Sequence, residues 1–298
     1  MVSRKKVIAA IGNFDGVHLG HQALLRQTLQ FARDNGATPG AITFEPHPRR
    51  FFTPDAPPFL ICTSQTRDAL LRACGVEEIL TVAFNASLAK LSPSAFIEDV
   101  LIDRMNVSGL VAGADFRFGA KRAGDRALLE EMGKRDGFAV KIAELVTDEP
   151  AGEKFGSRAI RDALQKGAVD RAAVMLGRCW SVTGPVEEGR KVGRTIGFPT
   201  ANMTLGELLE PRKGVYATRA KVGGKSYGAV SNFGRRPTVG SDAPLLETFL
   251  FDFDGDLYGR QVEVEFVAFL RDEEKFDGLD TLKAQIAKDC IRAREIVG

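Results

Sequence analysis

Gly12-Asn13-Phe14-Asp15-Gly16-Val17-His18-Leu19-Gly20-His21 follows a short apolar run, Val7-Ile8-Ala9-Ala10-Ile11, and precedes Leu24, Leu25, Thr28, Leu29 and Ala32 at helical spacing. The run reads as a buried strand and the spaced set as one face of a helix, so the quoted stretch is a strand-to-helix turn. A helix N-terminus offers unpaired N–H groups and the positive end of its dipole, which favour an anion such as phosphate. Gly16 and Gly20 leave room for such a group against the backbone, and His18 and His21, three residues apart, can donate from one side.

On these residues alone the histidine pair admits three readings: structural imidazoles at a helix cap, metal ligands, or phosphate donors. A closed zinc site needs three or four ligands, and the chain holds 3 histidines in all, His47 being the third, so ligand supply weighs against metal. The full pattern Gly-x-Phe-Asp-x-x-His-x-Gly-His resembles the ATP-binding signature of the HxGH nucleotidyltransferase superfamily, and that favours the phosphate reading.

At 298 residues two domains are expected, each able to bury its own core. Lysine and arginine number 41 against 39 acidic residues, a formal net charge of +2, which argues against a polybasic surface for nucleic acid or membrane. The N-terminal apolar run is too short for a signal-peptide core, and no segment is long enough to span a bilayer. A cytoplasmic protein with neither nucleic-acid nor membrane partner is the expectation. Cys62, Cys74, Cys179 and Cys290 show no metal-ligand spacing and read as packing residues.

Up to about residue 145, apolar runs alternate with helical stretches, the rhythm of a parallel α/β sheet. Strands are expected over 7–11, 40–44, 78–83, 109–112 and 139–142, with helices over 21–33, 67–73 and 95–104. Ligands of open α/β sheets bind at the carboxyl ends of strands, where Gly12 to His21, Thr43 to Pro48 and Gly113 to Gly119 all fall. A helical pair is expected over 157–176. From Trp180 to Phe269 short β segments follow one another between glycines without helices, the pattern of an antiparallel barrel or sandwich, and the chain closes in a helix with Leu282, Ile286, Cys290 and Ile291 facing the core. The expected domains are residues 1–176 and 177–298.

The β-rich half has its own constellation, Gly189 to Asn202, where glycines and basic side chains suit a polyphosphate and Thr200 and Asn202 add oxygens suited to magnesium. A Gly/Pro-rich turn with solvated charges is the plainer reading. In Leu245-Leu246-Glu247-Thr248-Phe249-Leu250-Phe251-Asp252-Phe253, period-two alternation sets Glu247 on a face with Leu245, Phe249, Phe251 and Phe253. A carboxylate there is exposed at the sheet rim, paired, or functional, and desolvation would push it toward the range of a general base. Pattern alone leaves these open.

GNFDGVHLGH, TFEPHP, GADFRFG, GRTIGFPTAN, NFGRRPT, LETFLFDFDGDLYG and LRDEEKF occur in this order, and across nearly its whole length the chain resembles the bifunctional riboflavin kinase/FMN adenylyltransferase family. The resemblance implies a Rossmann-like nucleotidyltransferase domain, then a Greek-key β-barrel riboflavin kinase domain with a C-terminal helix. It implies phosphorylation of riboflavin to FMN and adenylylation of FMN to FAD with release of pyrophosphate. ATP is the co-substrate and Mg2+ or another divalent cation the cofactor; riboflavin, FMN and FAD are the flavin partners.

Residue by residue, the resemblance implies that Thr200 and Asn202 hold the metal and ATP, and that Glu247 accepts the proton of the riboflavin 5′-hydroxyl. Gly193, Arg194, Asn232, Arg235 and Arg271 form the nucleotide and flavin surroundings. In the first domain Gly12, Asn13, Phe14, His18 and His21 bind ATP, Asp115 and Phe116 lie near the flavin nucleotide, and Ser157 and Arg161 contribute, Arg161 to catalysis.

The family's Ile-Ser-Ser-Thr-x-x-Arg run is here Phe155-Gly156-Ser157-Arg158-Ala159-Ile160-Arg161, with Gly156 and Arg158 departing from it. The long cation of Arg158 would supply a phosphate contact, block the site, or point to solvent. Arg158 motivates one alternative to the bifunctional enzyme, a monofunctional riboflavin kinase with a degenerate first domain; a non-catalytic flavin or nucleotide carrier is a third reading, of a different class. Self-association is left open by the sequence.

Overall fold

The computed structural model describes residues 6–143, 156–188, 198–235 and 244–298, which divide into two compact units. The first takes residues 6–56 and 64–143, the second residues 57–63 and everything described from 156 onward.

Five parallel strands build the first unit: β1 (Val7–Ile11), β2 (Thr38–Glu45), β3 (Glu78–Ala83), β4 (Val107–Gly113) and β5 (Ala139–Ala143), in spatial order β3-β2-β1-β4-β5. Each expected strand is present, lengthened at its ends by no more than two residues. All residues of β1 are buried, as a central parallel strand covered on both faces requires, and this is why its sequence is continuously apolar rather than alternating. Helix α1 (Leu19–Asp34) buries Ala23, Leu25, Thr28 and Ala32. Next come α2 (Pro48–Phe52), α3 (Ser64–Ala73) and α4 (Ala86–Lys90). The helix expected over 95–104 begins two residues earlier as α5 (Pro93–Ala95), capped by the Ser92 hydroxyl, and continues as a π-helix through Arg104. Helix α6 (Arg126–Asp136) ends at Gly137, whose φ of 67° is the left-handed C-cap that glycine adopts freely. From β1 the chain steps outward through β2 and β3, then crosses back to β4 and β5. The strand order therefore reverses between β1 and β4, the kind of position at whose carboxyl edge open α/β sheets bind ligands.

The second unit begins, beyond its segment 57–63, with α7 (Ser157–Gln165) and α8 (Val169–Leu176), which bury Ile160, Leu164, Val169, Ala172 and Leu176. This pair, expected with the first domain, goes with the second unit: the Arg212 N–H, at the entry to the barrel, donates to the Leu164 carbonyl at 3.0 Å. The sheet comprises β6 (Trp180–Pro185), β7 (Ala201–Thr204), β8 (Gly214–Val222), β9 (Lys225–Arg235), β10 (Pro244–Leu250) and β11 (Gln261–Arg271), all antiparallel, in order β6-β11-β8-β9-β10-β7. The run β8 to β11 has the spatial order 11-8-9-10, a Greek key. Just past β6, Glu187 bridges back to Asn202 of β7, its N–H donating to the Asn202 carbonyl at 2.8 Å, so the sheet curls into a nearly closed barrel. Inside it Tyr216 meets Phe266 edge to face with ring centroids 4.9 Å apart, and Trp180 lies against Phe266 at 4.8 Å with the planes tilted by 41°.

Helix α9 (Leu279–Val297) lies against the outer face of β8, β9 and β11. Its inward stripe runs through Leu282, Ile286, Asp289, Cys290, Ala293 and Val297, spaced by three or four residues, and Ile291 falls off it with 62% exposure. The expectation for Ile291 is thus corrected. So is that for Phe253, which lies beyond the end of β10, past a turn in which Asp252 has φ of 56°.

Phe266→Ala is expected to destabilise the barrel by roughly 3–5 kcal/mol, whereas Ile291→Ser should change stability by no more than about 0.5 kcal/mol; urea denaturation of the two variants measures both.

Candidate active sites

At the carboxyl end of β1 the backbone turns through Phe14 and Val17 with φ of 51° and 41°, and Gly16 between them has φ of 84°. A β-branched or aromatic side chain in the left-handed region costs roughly 1–3 kcal/mol and persists only where its surroundings dictate it. Here they do. Phe14 and Val17 are fully buried, the Val17 N–H donates to the Phe14 carbonyl at 3.1 Å, and Gln22 Nε2 donates to the Val17 carbonyl at 3.0 Å.

The turn delivers His18 to the N-cap of α1, where its Nδ1 accepts from the His21 N–H at 3.3 Å. In the neutral ring that leaves Nε2 as the donor nitrogen. The two imidazoles stack with centroids 3.7 Å apart and planes 20° apart, and Phe14 meets His21 edge-on at 5.2 Å. His21 Nδ1 is buried and finds no hydrogen-bond partner among the described residues. Burial, and then the neighbouring His18, push the His21 pKa well below the usual 6.5, so the ring is neutral at neutral pH.

Gly12 and Asn13 lie at the head of the same loop, Asn13 exposed. Across the switch point, the loop after β4 carries exposed Asp115 and half-buried Phe116, whose ring stacks on Phe118 at 5.4 Å and 13°. The loop after β2, with His47 capping α2, occupies the same edge of the sheet. Ser157 and Arg161, expected to serve this chemistry, ride on α7 of the second unit; Arg161 Nε donates to the Phe59 carbonyl at 2.8 Å and its guanidinium lies over the Phe59 ring. Arg158 is exposed, and Gly156 caps α7 without a side-chain bond.

In the barrel, strand register decides the site. Glu247 of β10 pairs with Asn202 of β7 on one side and Asn232 of β9 on the other; Asn232 pairs with Val215 of β8, and Val215 with Arg271 of β11. Directly opposed residues of antiparallel strands share a face, so Asn202, Glu247, Asn232, Val215 and Arg271 form one row across five strands. The row faces α9. Between them lies a pocket of about 270 Å³ with apolar walls from Phe198, Val230, Phe249, Phe276 and Ile286, and with Thr200, Asn232, Glu247 and Arg271 among its polar groups. Glu247 is therefore half-buried in a pocket and not at a sheet rim. Asn202 Oδ1 is buried without a hydrogen-bond partner among the described residues, and the Thr200 hydroxyl lies near by in sequence on the pocket wall. Two neutral oxygens of this kind suit a hard divalent cation that takes most of its ligands from phosphate and water. Arg235 is exposed and pairs with Glu210 at 3.4 Å; Gly193 and Arg194 lie outside the described residues.

Two participants escaped the sequence reading. Asp289 of α9, 6% exposed, receives Arg271 Nη2 at 2.7 Å and Arg271 Nε at 3.0 Å, while Gln285 Nε2 donates to it at 3.0 Å. These bonds raise the Arg271 pKa and fix the guanidinium beside the pocket. The signal was legible by the logic applied to Glu247, since Asp289 is a carboxylate on an otherwise apolar stripe. Glu273 accepts from Asn232 Nδ2 at 3.4 Å and sits against Gly234, where any Cβ would collide with its carboxylate.

An NMR titration of His21 is expected to give a midpoint below 6.5. The unfolded chain then binds the proton more readily than the folded one, so this contribution to stability is complete above about pH 6.5 and is lost as pH falls below it. His21→Gln should flatten that part of the stability profile, read by denaturant unfolding from pH 7.5 down to about 5.

The FAD synthetase family model matches residues 2–158, and the riboflavin kinase family model residues 176–297. A bifunctional riboflavin kinase/FMN adenylyltransferase from Pseudomonas fluorescens is 40% identical over 97% of this chain and 92% of its own length. The protein of the same description from Escherichia coli strain K12 is 39% identical over 98% of this chain and 93% of its own. A crystal structure described as a macrolide-efflux protein from Streptococcus pneumoniae matches with a TM-score of 0.87 at 32% identity, covering 98% of this chain and 95% of that one. Among the described residues no helix is long and apolar enough to cross a membrane. With both family models matched in chain order and relatives similar from end to end, the chain belongs to the bifunctional riboflavin kinase/FMN adenylyltransferase family.

Proposed function

We propose that the second unit phosphorylates riboflavin with ATP at the pocket under α9, and that the first unit transfers an adenylyl group from a second ATP to the FMN so formed, at the carboxyl edge of its sheet. The observation that carries the reading is the cross-strand row, which sets one carboxylate, Glu247, between two side-chain amides at the wall of a mostly apolar pocket. Largely apolar walls suit the flavin ring system, and the polar row suits the hydroxyls of its ribityl chain.

A primary alcohol is a poor nucleophile at neutral pH. Glu247 takes the proton of the riboflavin 5′-hydroxyl as that oxygen attacks the γ-phosphorus of ATP; the new O–P bond forms as the bond to ADP breaks. Thr200 and Asn202 would hold a divalent cation, which when bound neutralises charge on the phosphates. Arg271, locked by Asp289, and Asn232 border the pocket as fixed polar contacts.

Adenylyl transfer needs no base, because the FMN phosphate is already an anion. Its oxygen attacks the α-phosphorus, pyrophosphate leaves, and the requirement is to stabilise negative charge. His18, His21, the N-terminus of α1 and the backbone of Gly12 and Asn13 supply donors for ATP, with Asp115 and Phe116 toward the flavin nucleotide. Phosphate oxygens beside His21 would favour its charged form, so binding draws a proton onto a ring that is neutral in the free protein. Arg161, whose Nε donates to the Phe59 carbonyl, is the cation assigned to help stabilise that charge. Consumption of ATP and of free flavins supports a cytoplasmic setting.

Gly156, which provides no side-chain cap, and exposed Arg158 favour a second reading, a kinase whose first unit has lost its chemistry. Incubation with riboflavin, ATP and magnesium, with flavins separated over time, tells the two apart: FMN followed by FAD is expected, and FMN that never becomes FAD would establish the second reading. Glu247→Gln should lower FMN formation by roughly two orders of magnitude or more and leave conversion of supplied FMN to FAD unchanged. His21→Ala should do the reverse, sparing FMN formation and depressing FAD formation, both read in separate assays from riboflavin and from FMN.

A further inference from the structure

Strand β11 ends at Arg271 and α9 begins at Leu279, and residues 272–278 between them form neither helix nor strand. Glu273, Glu274 and Phe276 of this segment are nevertheless part of the wall of the kinase pocket. Without ladder bonds such a stretch keeps its shape only through the side chains that grip it. Arg212 donates through Nε and Nη2 to the two carboxylate oxygens of Asp272, at 2.8 and 2.6 Å. Arg271 donates through Nη1 to the Asp272 carbonyl at 2.9 Å, and its guanidinium lies 5.8 Å from the centre of the Phe276 ring. Glu273 accepts from Asn232 Nδ2 at 3.4 Å and rests against the bare backbone of Gly234. All of these residues belong to the second unit.

The Arg271 guanidinium has more than one carboxylate within its reach, and α9 decides between them. Asp289 receives Arg271 Nε at 3.0 and 3.1 Å and Nη2 at 2.7 Å, and Gln285, one helical turn earlier, donates Nε2 to the same carboxylate at 3.0 Å. The two side chains of the ion pair are only 17% and 8% exposed, so removing one partner leaves the other charged and poorly hydrated. The Arg271 pKa is raised first by the bonds to Asp289 and in smaller part by the charges of Glu274 and Glu273. Those two glutamates stand on the pocket wall, exposed, and are the anions nearest to hand for a guanidinium that has lost Asp289. Pairing with Glu273 would draw that carboxylate away from Asn232 and Gly234.

We propose that Asp289, supported by Gln285, is a positioning residue for riboflavin phosphorylation: by holding the Arg271 guanidinium on α9 it keeps Glu273 on Asn232 and so sets the shape of the pocket wall 272–276. The proposal rests on the assignment of riboflavin to that pocket. The Asp289 carboxylate is committed to Arg271 and Gln285, so it acts on the substrate through the wall and not on the reacting atoms. Once Asp289 is neutralised the wall samples other shapes, and a site that must first be ordered binds its substrate more weakly. Glu247 keeps its place by the pairing of β10 with β7 and β9, so the chemical step is spared.

The test uses the full chain and follows FMN formation from riboflavin at saturating ATP. Asp289→Asn is expected to raise the KM for riboflavin roughly three- to thirtyfold with kcat held within about twofold, the range for side chains coupled in one network, and to accelerate hydrogen exchange over residues 272–278. Gln285→Met removes one bond and leaves the ion pair, so it threatens the fold less; its KM should rise in the same direction by a smaller factor, and it decides the matter if Asp289→Asn does not fold. The double variant Asp289→Asn/Arg271→Met should have a riboflavin KM no higher than that of Arg271→Met alone, because Asp289 acts through the guanidinium. Two effects that multiply in the double variant overturn the proposal, since Asp289 then acts by another route. An unmoved KM in the folded variants overturns it as well, with or without faster exchange, and so does a fall in kcat at constant KM. A parent chain that forms no FMN from riboflavin overturns the reading of the pocket and the proposal together, whereas an active parent with unmoved variants overturns the proposal alone.

Discussion

Antiparallel pairing removes any choice about where a side chain points once register is set. A slip of one residue in β10 would turn Glu247 into the barrel interior and bring Thr248 out to the pocket. The register is held from the opposite face. Ser231 Oγ lies 2.8 Å from Thr218 Oγ1 and 2.9 Å from Thr248 Oγ1, a chain of hydroxyls across β8, β9 and β10 with all three residues fully buried. Buried hydroxyls are satisfied there only in this alignment, so the polar interior penalises each slipped register by groups left unpaired. The row Asn202, Glu247, Asn232, Val215 and Arg271 on the other face inherits its order from that constraint.

The first unit reaches precision by another route. No ladder runs through the turn after β1, and its geometry is set by packing and by bonds within the turn: two side chains in left-handed backbone are pinned in the core, Gln22 holds the Val17 carbonyl, and the His21 N–H holds His18 Nδ1. The stacked pair then shields His21, one of whose nitrogens has no hydrogen-bond partner among the described residues. One unit thus orders its polar groups by strand register and the other by core packing with bonds local to a turn, and the difference follows from where each site lies, mid-strand in the barrel and beyond the strand ends in the sheet.

What could be read from the sequence tracks how local the cause is. The turn from Ile11 to His21, the five parallel strands and the face of Glu247 follow from periodicity and from residues within one turn or strand, and the structure has them. The extra half-turn at Pro93 is a capping matter, since the hydroxyl of Ser92 and the proline fix the start. Ile291 leaves the stripe because one step along a helix turns the side chain by about 100°, so with Cys290 buried its neighbour points away from the sheet. The inclusion of residues 57–63 in the second unit and the grouping of α7 and α8 with the barrel were not legible at all. The Trp180 contact with Ile61 joins residues 119 apart, and Arg161 meets Phe59 across 102, so nothing near either member of a pair announces the other. Asp289 is intermediate: its stripe position was visible, but its partner Arg271 becomes evident only when α9 is laid against β11.

Trp180 is the one tryptophan of the chain, 2% exposed, with its N–H committed to a carbonyl. Indole emission depends on the polarity around the ring and on the state of its N–H, so the protein carries an optical label confined to the second unit. The first unit holds no tryptophan and is spectroscopically quiet at that wavelength. Emission therefore follows melting of the barrel alone, far-ultraviolet circular dichroism follows both units together, and the difference between the two traces tells whether the two halves unfold as one cooperative block or in sequence.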